Sequence, residues 1–170
     1  MKQHIAMGLV VLSGLFVFGA VHAQDLPKPK GKVILTVSGS IKNTNTDANT
    51  AEFDREMLLN LEVRELNTGT PWSEGVDSYR GPLLRSLMAA VGAQAGNLSV
   101  TALNDYSAVV PSQDGEDYNV ILAMDLNGAP MSVRNKGPLF LLYPFNELPS
   151  LNNEVIQNRS VWQIKSIRVE

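Results

Sequence analysis

The chain has 170 residues, no cysteine and two histidines, and its 14 Lys and Arg against 17 Asp and Glu give a formal charge of −3. The missing cysteine excludes disulfides, thiolate nucleophiles and thiolate metal ligands. The mildly acidic balance argues against a nucleic-acid partner. The first 23 residues, MKQHIAMGLVVLSGLFVFGAVHA, pair Lys2 with an apolar run from Ile5 to Phe18 and compact residues at Val21-His22-Ala23. This pattern predicts a secretory signal peptide cleaved after Ala23, and hence a periplasmic protein. No cysteine stands at the cleavage site, so lipid attachment there is excluded. Both histidines, His4 and His22, fall in this leader, so the exported chain can form no Ser-His-Asp triad.

The domain reading is a leader over 1–23, an exposed lead-in over 24–32 and a single domain over 33–170. The lead-in carries two prolines and three lysines between Asp25 and Lys32. The β-branched run Val33 to Gly39 predicts a first strand. Asn43 to Thr50 reads as a polar loop. Phe53, Met57 and Leu58 stand at helical spacing, which predicts a short helix over 51–59 capped by Thr50. Leu61 to Leu66 alternates as a half-buried strand, and Asn67 to Gly75 is a loop.

Leu83, Leu84, Leu87, Met88 and Val91 make one apolar helical face, with Pro82 in its first turn and Gly92 at its end. Beyond Gly96 the pattern turns to strands. Leu98 to Leu103 alternates, Asn104-Asp105-Tyr106 turns, and Ser107 to Val110 is a short strand ended by Pro111. Ser112 to Asp117 reads as a polar loop. Val120 to Leu126 is a strand that leads into the turn Asn127-Gly128-Ala129-Pro130. Pro138 to Pro144 is a buried apolar strand. Val161 to Val169 is a final alternating strand with Trp162, Ile164 and Ile167 facing the core. The class is α+β, with a mainly antiparallel or mixed sheet and few short helices.

Five segments occur in an order that resembles the molybdopterin-binding domain of the sulfite-oxidase-like oxidoreductases. They are Arg80-Gly81-Pro82-Leu83-Leu84-Arg85-Ser86-Leu87, Asn104-Asp105-Tyr106-Ser107, the run Val120 to Met131, Lys136-Gly137-Pro138-Leu139-Phe140-Leu141-Leu142-Tyr143-Pro144, and Val161 to Ile167. The resemblance covers roughly Glu62 to Val169. Enzymes of that family hold molybdenum through a cysteine in the loop before the first segment. Here that loop, Asn67 to Ser73, carries Trp72 and threonines, and a hydroxyl does not replace a soft thiolate.

The resemblance therefore implies a cysteine-free branch similar to periplasmic pterin-binding proteins, without a redox cofactor and without turnover. Such a protein takes a free reduced pterin, for example a tetrahydropterin. It relays occupancy to the periplasmic domain of an inner-membrane cyclic-di-GMP cyclase or phosphodiesterase, in signalling of the biofilm-regulating kind. Two alternatives stand beside it: an oxidoreductase with a non-cysteine metal site, and an interaction module without a ligand.

A pterin presents a flat face and an aminopyrimidinone edge, which need an aromatic plate and a hydrogen-bond acceptor. Trp72 is the candidate plate, or else a cover on the core edge. Asp105 is the candidate edge acceptor, or else a plain turn residue. Tyr106 and Ser107 follow it and offer a ring and a hydroxyl, with Tyr106 equally open to a core role. Tyr143 ends the buried run at an expected pocket rim. Thr68 and Thr70 are expected to line the pocket with hydroxyls. Arg134 and Lys136 precede Gly137-Pro138, where the resemblance implies cofactor contacts and the plain reading is solvated charge. Arg80 is open to pointing into the site, whereas Arg85 is expected to face solvent. Asp114, Glu116 and Asp117 read as a solvated acidic turn.

Overall fold

In the computed structural model, which describes residues 26–170, the β-branched run after the lead-in becomes β1 (Leu35–Gly39). β1 pairs in parallel with the last strand, β11 (Ile164–Val169), and antiparallel with β2 (Ala51–Phe53). β11 continues antiparallel to β5 (Asn97–Ala102), and β5 to β6 (Ser107–Pro111), giving the order β2-β1-β11-β5-β6. Leu35, Val37, Leu98, Val100, Ile167 and Val169 are buried along these strands, as period-2 alternation demands. Ile164 and Ile167 are three apart yet both buried, because the β11–β5 register shifts between Ile164 and Ser166. One extra residue flips the facing of everything beyond it.

A second sheet has the order β3-β4-β8-β9, from β3 (Val63–Thr68), β4 (Asp77–Pro82), β8 (Asp125–Leu126) and β9 (Ala129–Pro130). Asn127 and Gly128 join β8 to β9 with φ of 50° and 81°, the left-handed pair that a two-residue hairpin requires. β7 (Ile121–Ala123) pairs antiparallel with β10 (Phe140–Leu142), and all six residues are buried. Their near-continuous apolar sequence reflects burial on both faces. The result is the expected α+β class, mainly antiparallel with short helices.

β4 lies against β7 so closely that a Cβ on Gly81 would stand 1.9 Å from the Leu122 carbonyl oxygen. The sequence reading has no strand at 77–82, since Tyr79 is its one large apolar residue. The strand exists because β3 and β8 bond it from both sides. Pro82 consequently closes β4 instead of opening the helix, and α2 runs Leu84–Ala90 with Gly92 turning out at φ 59°.

Three other expectations change. The helix expected over 51–59 is α1 (Arg55–Leu59), because Ala51 and Phe53 pair with β1 and face the core. Its cap is Asp54, not Thr50; Asp54 Oδ1 accepts the Met57 N–H at 2.9 Å. The polar stretch 112–117 contains α3 (Gln113–Asp117), in which Asp114 is buried. The stretch before the last strand holds α4 (Glu154–Arg159), capped by Asn153, for which the sequence reading names no element. The signal peptide and its cleavage site lie outside the described residues. Among the described residues, no helix is long and apolar enough to cross a membrane.

Asp54 also ties down the lead-in, because its Oδ2 accepts the Lys30 and Gly31 N–H groups at 2.8 Å each. The Met57 bond, then the Gly31 and Lys30 bonds, hold its carboxyl below the ordinary value of 3.8. A lowered native value adds stability that is present above the ordinary value and fades as pH falls through the native one. Asp54→Ala should therefore melt below wild type at pH 7, with the gap narrowing only below pH 3.8, as thermal denaturation across pH would record. Gly81→Ala should cost about 3 kcal/mol or more by overpacking, measured by urea denaturation.

Candidate functional site

Trp72 owes its position to the loop after β3. Thr68 is wholly buried, and its Oγ1 donates to the Gly69 carbonyl at 2.9 Å and accepts the Asn146 N–H at 3.1 Å. Asn146 returns a bond through Oδ1, which accepts the Gly69 N–H at 3.0 Å. Thr70 and Ser73 share a hydroxyl bond of 2.8 Å, and Thr70 Oγ1 accepts the Trp72 N–H at 3.3 Å. This polar clamp drops the Trp72 ring onto the core, where it meets Phe140 edge-on at 6.2 Å and Phe145 at 6.5 Å.

Trp162, expected in the core, is 37 % exposed and stands 5.2 Å from Trp72 at an interplanar angle of 74°. Gln163 adopts φ 54° and breaks the strand just after Trp162, so the alternation of β11 does not reach back to it. Lys136 Nζ sits 5.8 Å over the Trp162 ring, a cation–π contact where the sequence reading has a solvated charge.

These two indoles form one side of a cavity of about 360 Å³. The β5–β6 turn supplies Asn104 and Tyr106, and α4 with the residues after it supplies Gln157, Asn158 and Ser160. Tyr106 bridges the two walls, since its hydroxyl donates to the Asn158 carbonyl at 3.2 Å. Among the described residues, no Asp, Glu, Lys or Arg side chain lines this cavity. Ser160 Oγ is buried and donates to the Ile156 carbonyl at 2.8 Å, which commits its proton. The arrangement offers aromatic edges and faces, neutral amides and an aromatic hydroxyl. Such a set suits a flat, uncharged heterocycle, and its volume lies at the lower end of small-molecule sites.

Of the residues singled out in the sequence, Trp72 and Tyr106 come together here; the others do not. Asp105 takes φ 68° at the turn and directs its carboxylate outward to Lys165, away from the cavity. The Lys165 hydrogen bond and charge hold that carboxyl below its ordinary value. Ser107 faces its sheet neighbours, 3.1 Å from the Ser99 hydroxyl. Tyr143 is fully buried, and its hydroxyl donates to Asp114 Oδ2 at 2.6 Å, so it is a core residue and not a rim residue. Burial, then that bond, pushes its hydroxyl well above the ordinary phenol range.

Thr70 borders a different depression, with Phe145 and Asn146. Arg134 is exposed on a short 3-10 turn and lines no part of the cavity. Arg80 pairs with Asp125 Oδ2 at 3.4 Å, and Arg85 with Glu62 at 3.1 Å. The amides that do line the cavity escape sequence reading. Asn104 hides beside the more conspicuous Asp105. Gln157 and Asn158 depend on α4, whose one signal is Asn153 ahead of Glu154 and Ile156.

The α+β arrangement is that of the sulfite-oxidase-like fold. Solved structures carry this conclusion: the crystal structure of the sulfane dehydrogenase SoxCD from Paracoccus pantotrophus superposes with a TM-score of 0.56. The match has 17 % identity and covers 79 % of this chain but 37 % of that one, so this chain spans little over a third of that protein. No family model and no curated protein matches the sequence.

The molybdenum cofactor, which the fold implies, combines a sulfur-ligated metal with a phosphate tail, and the residues present do not fit it. The loop that would supply a thiolate has threonine hydroxyls already committed to Gly69, Asn146 and Ser73. Among the described residues, none that lines the cavity is cationic, and the nearby Lys136 ammonium is engaged over the Trp162 ring.

Two indoles at 5.2 Å couple their electronic transitions. The far-ultraviolet circular dichroism should show a paired exciton band, from the strong indole transition, that Trp72→Phe and Trp162→Phe each abolish. Spectra that simply add would contradict the geometry.

Proposed function

We propose that this protein binds a free, uncharged pterin in the cavity between Trp72, Trp162 and Tyr106 as a receptor and not a catalyst. The supporting observation is the neutral, aromatic-walled cavity in a chain without cysteine. A bicyclic ring has an indole to lie against, with stacking adding about 1 kcal/mol beyond burial. The aminopyrimidinone edge needs acceptors for its N–H groups and donors for its carbonyl. Carboxamides supply both, which moves the role expected of Asp105 to Asn104, Gln157 and Asn158. Neutral partners suit a neutral ring, because a buried unpaired carboxylate would carry a desolvation cost.

The finer reading rests on the sequence resemblance. In it the protein is exported to the periplasm, the ligand is a reduced pterin, and occupancy is relayed to an inner-membrane protein of cyclic-di-GMP metabolism. A relay requires the partner to bind loaded and empty forms with different affinity. The fold likeness to a dehydrogenase keeps a redox enzyme as the second reading, and stoichiometric molybdenum in protein isolated from its native host would favour it.

Tetrahydropterin should quench the tryptophan fluorescence saturably. Trp72→Ala and Asn158→Ala should each weaken binding roughly tenfold, about 1.4 kcal/mol. Asp105→Asn should leave affinity unchanged. No quenching by any pterin would end this reading, and loss of binding in Asp105→Asn alone would restore the carboxylate.

A further inference from the structure

α4 forms one wall of the cavity, yet it has six residues. A helix that short does not hold itself together in water, so tertiary contacts must fix it. At its start Asn153 caps the Ile156 N–H at 3.1 Å, and Ile156 is buried. At its end, next to Asn158, the anchoring side chain is Arg159, whose Nη1 donates to Asp114 Oδ2 at 3.0 Å.

Asp114 is 5 % exposed, lies on α3 and is not part of the cavity lining. Its Oδ2 also accepts the Tyr143 hydroxyl, and Tyr143 lies in the core just past β10. A charge in such a place is fixed by two donors in defined directions. It acts on Arg159 from a rigid base, because β10 and the residue after it are wholly buried.

We propose that Asp114 is a positioning residue for the ligand cavity: through Arg159 it sets where the C-terminal turn of α4 presents Gln157 and Asn158 to the ligand. The inference rests on the binding reading above for its functional consequence, and on the geometry alone for its structural one. Apolar packing would hold α4 near the sheet with little preference for one setting along it. The sharing of one carboxylate oxygen by the Tyr143 and Arg159 donors selects a single setting. Tyr106 then closes the cavity by donating to the Asn158 carbonyl, a bond that depends on where α4 ends.

Two measurements on the full exported chain test this. Amide hydrogen exchange without ligand should show residues 156–161 exchanging at least tenfold faster in Asp114→Asn than in wild type, with β5 and β11 unchanged. Tetrahydropterin affinity should fall about tenfold in both Asp114→Asn and Arg159→Lys. The double variant should be no worse than either single one, because both act through the same contact. Asp117→Asn, on the same helix but exposed, should match wild type.

If Asp114→Asn fails to fold, Arg159→Lys carries both readouts, since it keeps the charge and loses the reach. Unchanged exchange over 156–161, or additive losses in the double variant, would overturn the proposal. Failure of wild type to bind tetrahydropterin would refute the binding reading alone, and the exchange result would still decide the positioning role.

Discussion

Phe140 is the contact on which the cavity depends. It is fully buried on β10, and Trp72, Tyr79 and Trp162 all meet it edge-on at interplanar angles of 63° to 74°, with centroids 6.2 to 6.3 Å away. Edge-to-face packing of this kind fixes ring orientation as well as burying area. The β3–β4 loop with the strand it enters, and the residues just before β11, therefore converge on one ring from distant parts of the sequence. The cavity floor and the hydrophobic core are the same object. A ligand resting against the indoles would rest on a surface that the fold itself holds rigid, so little ordering would oppose its binding.

The chemistry of the site follows from what the chain lacks and from where its charges go. Asp105 and Lys165 neutralise one another outside the cavity; Asp114 and Arg159 do so behind it. The cavity is left with amides, rings and hydroxyls in a protein whose fold also serves a sulfane dehydrogenase. One scaffold can host unrelated chemistry because the site sits in loops and short helices grafted onto it. In this chain the segment that would offer a metal ligand is instead a hydroxyl clamp that orients a tryptophan.

Strong periodicity was legible in the sequence. The alternation of β5, the α2 face and the Asn127-Gly128 hairpin all lie where local pattern places them, because local pattern is what forms them. The α+β class was legible for the same reason, while the sulfite-oxidase-like fold was legible through the resemblance of five segments in order. Elements made by tertiary pairing were not. β4 has no apolar alternation and is created by its two neighbours. Asp114 looks like a solvated turn residue until Tyr143 and Arg159 arrive from elsewhere in the chain. Trp162 reads as core because the left-handed Gln163 that separates it from β11, and the bulge inside β11, are both invisible in a hydropathy pattern. Of the candidate cavity's lining, Trp72 and Tyr106, though not Trp162, were singled out in the sequence. The amides of α4 were not, since nothing local marks a six-residue helix as a cavity wall.

The most direct test is native mass spectrometry of the protein, first as isolated and then with tetrahydropterin added. Binding of a neutral ring against the indoles predicts a mass increment of a single metal-free pterin. An increment matching molybdenum with a phosphorylated pterin dithiolene, or none under either condition, would contradict it.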